Sequence, residues 1–206
     1  MTETAPSNWN LPNALTTLRI VMVPFFAWAL LVDDGDSVLW RTVAWAIFVA
    51  AMITDKIDGD IARSRNLVTN FGKIADPIAD KALTGMAFVG LSIIGELWWW
   101  VTVVVLLREW GITLLRFWVI RYGVMAAGSG GKLKTVLQTV ALGLFILPLR
   151  HLEHPWSDIG MVVWWVAVLV MAAAVTLTVV TGVDYVVKAL AVRREGRATA
   201  PRATGS

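Results

Sequence analysis

The chain has 206 residues, 57% of them hydrophobic and 16% charged, with a mean hydropathy of +0.68. Soluble globular domains lie closer to roughly 45–50% apolar and about 25% charged, so this composition excludes an ordinary soluble domain and points to an integral membrane protein. Cysteine is absent, which removes disulfides and thiolate metal sites, and the net charge of +3 matters less than where the basic residues fall.

Met1 to Leu11 is short and polar and lacks the basic start and small-residue cleavage site of a signal peptide. A first apolar segment runs from about Leu11 to Val32, long enough to span a bilayer. Its front half carries Asn13, Thr16, Thr17 and Arg19. They act either as an interfacial anchor, with Arg19 snorkelling to headgroups, or as polar groups facing a site inside the protein. Pro24 predicts a kink. The acidic turn Asp33 to Ser37 ends this segment, and a second runs from about Val38 to Arg63.

The second segment ends, and the third begins, in the stretch TDKIDGDIARSRNLVTNFGKIADPIADK, from Thr54 to Lys81. It sets Asp55, Asp58, Asp76 and Asp80 beside apolar runs, where a charge costs about 2.5–3.5 kcal/mol on insertion scales. Asp55 and Asp58 stand at i,i+3, and Asp76 and Asp80 at i,i+4, so on helices each pair projects from one face. Two such pairs meeting across two helices form an all-oxygen cage. Its like charges need a cation, and oxygen ligands favour Mg²⁺, Mn²⁺ or Ca²⁺ over zinc. Separately solvated acids at helix ends are the plainer alternative. Gly59 lets a ligand approach the backbone, and Arg63 offers a planar fork for phosphate. Ser64 to Phe71 reads as a loop. The third segment runs from near Gly72 to about Gly95, with Pro77 expected in its first turn or so.

A fourth segment, about Leu97 to Ile120, opens on Trp98, Trp99 and Trp100, an interfacial aromatic belt. Further in lie Arg108, Glu109 and Arg116, the two arginines sharing a face. They form either a structural ion pair with Glu109 or a binding place for a second anionic group. Met125 to Thr135 contains Gly-Gly-Lys but fails as a P-loop, because Leu133 holds the Ser/Thr position and no strand precedes it. It reads as a flexible loop whose Lys132 and Lys134 can act as point charges for phosphate. The fifth segment covers about Leu133 to Leu149. His151 and His154 follow in a turn read as solvated, and the sixth segment covers about Ile159 to Val180. The basic tail beyond Lys188 is read as disordered.

The expected fold is therefore all-α, a polytopic membrane protein of six transmembrane helices. Arg63, Arg65, Lys73, Arg121, Lys132, Lys134 and the C-terminal arginines fall on the motif side, whereas the opposite turns hold Asp33, Asp34, Asp36, Glu96, Glu153 and Asp158 with only Arg41 and Arg150. By the positive-inside rule the active site and both termini face the cytoplasm. The lack of a transit peptide favours a bacterial plasma membrane.

Asp55, Asp58, Gly59, Ala62, Arg63, Gly72, Asp76 and Asp80 fit D-x2-D-G-x2-A-R-x8-G-x3-D-x3-D at every fixed position. In this the chain resembles the CDP-alcohol phosphotransferase family, from about Asn13 to the sixth segment. The resemblance implies a membrane domain over residues 1–190, followed by the tail at 191–206. It also implies transfer of a phosphatidyl group from CDP-diacylglycerol to an alcohol, with release of CMP. One or two Mg²⁺ or Mn²⁺ ions would be held by Asp55, Asp58 and Asp76 with Asp80 contributing, and Asp80 matches the family's general base. Gly59, Arg63, Thr69 and Gly72 match positions for the CDP moiety. Asn13 and Arg19 are placed with them against CDP-diacylglycerol.

The stretches REWGITLLR and GGKLKT resemble family members whose acceptor is glycerol 3-phosphate. Arg108, Arg116, Lys132 and Lys134 are then the expected ligands of the acceptor phosphate. Phosphatidylglycerol, giving cardiolipin, and an inositol phosphate are the alternative acceptors, and Lys56 stands where many relatives carry an aromatic residue. A homodimer in the lipid bilayer is expected, with no nucleic-acid partner. A transporter of divalent cations is the competing class, but it leaves Gly59, Arg63 and Gly72 without a role.

Overall fold

The computed structural model describes residues 10–64, 69–119, 130–151 and 156–198, with some side chains inside those ranges, including those of Arg63, Lys73, Arg116, Lys132 and His151, left out of the description. The polar lead-in, Arg65, Arg121, His154 and the end of the tail also lie outside the described residues. The described part is helical throughout: α1 (Leu11–Leu31), α2 (Val38–Ser64), α3 (Asn70–Ile93), α4 (Trp99–Val119), α5 (Gly130–Ile146) and α6 (Trp156–Ala198), with short 3-10 turns at Val32–Gly35 and Pro148–His151.

Local chemistry sets the boundaries. Asn10 caps α1, its side chain accepting from Asn13 N at 2.9 Å, and Pro12 sits in the first turn, where its missing N–H is not needed. The end of α1 is a left-handed run, Asp33 (φ 52°), Asp34 (φ 53°) and Gly35 (φ 82°). Only the glycine adopts that conformation freely, and a Cβ there would also stand 2.8 Å from Ile94 Cδ1. Thr69 caps α3 by accepting from Gly72 N at 3.0 Å.

Four boundaries differ from the sequence expectation. Because Thr69 supplies the cap, α3 starts at Asn70, so Pro77 lies inside the helix and not in its first turn; it cannot donate to the carbonyl four residues back. The helix α5 begins at Gly130, which makes the Gly-Gly-Lys stretch its first turn instead of a loop, and it ends at Ile146, short of the expected Leu149. The helix α6 continues to Ala198, so the first part of the basic tail is helical and not disordered.

The helix α1 packs along α2 and α3, and α6 packs along α4 and α5. A core containing Phe26, Phe48, Leu83, Phe88, Leu91 and Phe145 lies between them. By length and composition, three of the described helical stretches can cross a membrane: Leu11–Gly35, Val38–Ile61 and Asp158–Arg194. The helices α3 and α4 carry Asp76, Asp80 and Lys81, and Arg108 and Glu109, which lowers their apolar character.

The end away from the motif is clamped by Arg41, which is 1% exposed. Its guanidinium pairs with Glu96 at 3.1 Å and donates to the carbonyls of Gly35 (3.3 Å), Phe145 (2.6 Å) and Ile146 (3.2 Å). Trp164 Nε1 donates to the second Glu96 oxygen at 3.2 Å. Arg41 and Glu96, read from sequence as charges of the outer turns, are thus buried cross-links between α2, the α3–α4 turn, α5 and α6.

Candidate active site

The motif residues come from the last turns of α2 and the first turns of α3, and α1 lies across both. Asp55 and Asp58 project from α2 to the same partner. Arg19 Nη1 donates to Asp55 Oδ1 at 2.6 Å and Nη2 to Asp58 Oδ2 at 2.5 Å. The Arg19 side chain is 0% exposed, Asp58 5% and Asp55 42%, so the pair opens toward solvent on the Asp55 side. On α3, Asp76 Oδ1 accepts from Thr16 Oγ1 at 2.5 Å. Thr69 and Asn13 exchange hydrogen bonds of 2.9 and 3.0 Å.

Direct charge repulsion links Asp58 to Asp55 and Asp76, and Asp80 to Asp55. Asp55, Asp58 and Asp76 are brought together geometrically by Arg19 and Thr16, three residues apart on α1. Their negative charges outnumber the single positive charge of Arg19. The donor set is all oxygen, as a hard divalent cation requires. Among the described residues no three His, Cys, Asp or Glu side chains stand together as a ready-made cage. Mg²⁺ sites are commonly completed by substrate phosphates around one or two carboxylates, and this site fits that pattern. Asp55 Oδ2 and Asp58 Oδ1 are not engaged by Arg19.

Other expected site residues fall as follows. Gly59 follows Asp58 on α2, and Gly72 is buried against α1, where a Cβ would stand 2.9 Å from Asn13 Oδ1. Asn13 and Arg19, expected at the lipid donor, contact Thr69 and the two α2 aspartates respectively. A small cavity of about 60 Å³ lies beside Asp80, lined by the apolar Phe88, Val105, Leu106 and Leu142 as well as by Lys81, Thr84, Glu109, Thr135 and Gln138.

Of the cations expected for the acceptor, Lys134 is 2% exposed and paired with Glu109. Arg108 reaches Glu109 at 3.3 Å and Thr181 Oγ1 at 3.0 Å. Glu109 thus gathers Arg108 from its own helix and Lys134 from α5, next to the cavity that contains Asp80. The side chains of Arg63, Arg116 and Lys132 lie outside the described residues.

Sequence reading did not assign Thr16 to Asp76 or Lys81 to Thr113, which it meets at 2.5 Å. For Thr16 a signal was present, because it stands three residues from both Asn13 and Arg19 on one side of α1. Nothing in the sequence singled out Thr113.

A family model for CDP-alcohol phosphatidyltransferase matches residues 9–181. The chain is 55% identical over 181 residues to a protein of Mycobacterium tuberculosis named "probable phosphatidylglycerophosphate synthase", covering 88% of this chain and 82% of that one. It is 36% identical over 190 residues to the CDP-diacylglycerol–glycerol-3-phosphate 3-phosphatidyltransferase of Bacillus subtilis, covering 86% and 93%. Against the Escherichia coli protein of the same name it is 38% identical over 148 residues, covering 65% and 75%. With the match spanning the motif, the polar row of α1 and most of α6, the chain belongs to the CDP-alcohol phosphatidyltransferase family.

Proposed function

We propose that the chain transfers the phosphatidyl group of CDP-diacylglycerol to glycerol 3-phosphate, giving phosphatidylglycerophosphate and CMP. The observation that carries this reading is the convergence of Asp55, Asp58 and Asp76 on Arg19 and Thr16 of α1, in a chain whose relatives bear the names of that reaction.

Asp80, which lines the small cavity, takes the proton of the acceptor hydroxyl. The hydroxyl oxygen bonds to the phosphatidyl phosphorus as the bond from that phosphorus to CMP breaks. Asp55, Asp58 and Asp76, with Asp80 contributing, would hold one or two Mg²⁺ or Mn²⁺ ions. When bound, the metal withdraws charge from the diphosphate and stabilises CMP as leaving group. Gly59, Arg63, Thr69 and Gly72 form the CDP side of the site. Arg108, Arg116, Lys132 and Lys134 are assigned to the acceptor phosphate, with Glu109 fixing Arg108 and Lys134.

In this reading the domain spans about residues 1–190, with the last turns of α6 extending beyond it to Ala198, six helices cross a bacterial plasma membrane, and the motif end and both termini face the cytoplasm. The protein works as a homodimer, as the resemblance implies. The acyl chains stay in the bilayer while the headgroup reaches water-borne reactants.

The test is CMP release from CDP-diacylglycerol by the purified protein with Mg²⁺ or Mn²⁺, offering glycerol 3-phosphate, inositol 1-phosphate and phosphatidylglycerol separately. Release with glycerol 3-phosphate alone, lost in Asp80→Ala, is the expected result. Release with another acceptor overturns the substrate. Metal flux across vesicles without CMP release replaces the enzyme with a transporter.

A further inference from the structure

The polar row on α1 has a role that neither a lipid-headgroup anchor nor a substrate contact explains. Asn13, Thr16 and Arg19 are 5%, 1% and 1% exposed, whereas Leu18, Ile20 and Val21 beside them are 51%, 37% and 50% exposed. The row therefore faces the protein interior, which excludes snorkelling. Each member reaches one part of the motif: Asn13 holds the cap of α3 through Thr69, Thr16 holds Asp76, and Arg19 spans Asp55 and Asp58.

The Arg19 contacts use one oxygen of each carboxylate, at 2.6 and 2.5 Å, the range of charge-assisted bonds. Thr16 likewise takes only Oδ1 of Asp76. Three carboxylates on two helices are thus each held by one oxygen, and a third helix supplies the donors. The Arg19 Nε is buried with no partner, and the hydrogen bonds of its two terminal nitrogens run to motif aspartates. A guanidinium so enclosed does not swing out to a substrate without unpacking α1.

We propose that Thr16 and Arg19, braced by the Asn13–Thr69 contact, are positioning residues for the divalent cation: Arg19 fixes one oxygen each of Asp55 and Asp58, Thr16 fixes one of Asp76, and the other oxygen of each is thereby aimed at the ion. This inference rests on the metal-assisted reading above and deepens it. Partners that orient metal ligands from behind commonly change affinity by about 10–100-fold when removed. A guanidinium fork suits Arg19 because two carboxylates on one helix face need two donors at a fixed separation. A lysine ammonium supplies a point charge instead.

The test measures Mn²⁺ binding by electron paramagnetic resonance to full-length protein in detergent, with melting temperature in EDTA as a folding control. Wild type, Arg19→Gln, Arg19→Lys and Thr16→Val are compared with Arg41→Gln, which removes an equally buried arginine at the far end. The expected result is a Kd about 10–100-fold weaker in Arg19→Gln and Thr16→Val, partial recovery in Arg19→Lys, and no change in Arg41→Gln despite its lower melting temperature. If Arg19→Gln does not fold, Thr16→Val carries the test, since it loses one hydroxyl only.

Unchanged or tighter Mn²⁺ binding in the folded variants overturns the proposal, and tighter binding makes Arg19 a competitor of the ion. Absence of Mn²⁺ binding by wild type overturns the metal-assisted reading itself, a different result from wild-type binding that the variants do not disturb.

Discussion

Gly72 and Asn13 fix how closely α3 approaches α1, because a Cβ on residue 72 would stand 2.9 Å from Asn13 Oδ1. That oxygen accepts from Thr69 Oγ1, the α3 cap, at 3.0 Å, so it cannot yield without losing that hydrogen bond. Gly72→Ala is expected to cost about 1–3 kcal/mol through overpacking and to lower activity more than its stability loss explains, because Asp76 moves with the first turns of α3. The check is a double-mutant cycle with Asn13→Ala, read in melting temperature and CMP release. Removing the amide removes the clash, so the double variant should resemble Asn13→Ala alone instead of summing the two losses.

Arg41 and Glu96 form the counterpart at the other end of the bundle. Their side chains are 2% and 8% exposed, and removal of one partner from a buried pair costs about 3–5 kcal/mol, because the other charge is left uncompensated. Glu96→Gln is expected to lower the melting temperature markedly while leaving the KM for both substrates near wild type. A shifted KM at full stability would tie this clamp to the motif end.

How far these features could be read from sequence depends on their range. Asp55 and Asp58 were legible as a pair because helical spacing sets a shared face before any tertiary contact forms, and both meet Arg19, whereas Asp76 meets Thr16 and Asp80 lines the cavity beside Glu109. The six helical segments were legible for the same reason, through their apolar runs. The partner of each charge was not. Arg19 meets Asp55 thirty-six residues away and Arg41 meets Glu96 fifty-five residues away, and no local periodicity encodes such pairings. The extent of α6 was misread because its basic, polar end resembles a disordered tail by composition, although the helix continues through it to Ala198. The start of α3 was misread because Thr69, not the glycine after it, supplies the cap.

Asp80 is the proposed base, and its replacement tests chemistry apart from binding. Asp80→Asn keeps size and polarity but cannot accept the hydroxyl proton. The expected effect is a fall in kcat of about 10²–10⁴-fold with the affinity for CDP-diacylglycerol largely kept. Single-turnover CMP release, alongside a binding titration, separates the two. Chelation of divalent ions with EDTA should abolish turnover of the wild type reversibly, with activity returning on addition of Mg²⁺ or Mn²⁺.

Lys134 tests the acceptor subsite. Its ammonium is buried against Glu109, so it is held in place and pays little further ordering entropy on meeting a phosphate. A hydrogen bond to a charged group contributes about 1.5–3 kcal/mol. Lys134→Gln is therefore expected to raise KM for glycerol 3-phosphate by about 10–150-fold, while KM for CDP-diacylglycerol changes little. Equal loss for both substrates would make the Glu109–Lys134 pair a structural cross-link between α4 and α5.

Orientation is open to a direct labelling test, because the chain contains no cysteine. Asp36 and Ser64 flank α2 and are exposed. The helix has 27 residues, which at 1.5 Å per residue separates its ends by about 40 Å, the thickness of a bilayer with its headgroups. Arg41 and Glu96 neutralise one another inside the protein, so neither counts in the charge balance of the outer face. What remains there is acidic at Asp33, Asp34 and Asp36, against the basic residues around Ser64. Asp36→Cys is expected to react with an impermeant maleimide in intact cells, and Ser64→Cys only after permeabilisation. The opposite pattern would place the carboxylate cluster outside the cell, away from the cytoplasmic pool of glycerol 3-phosphate.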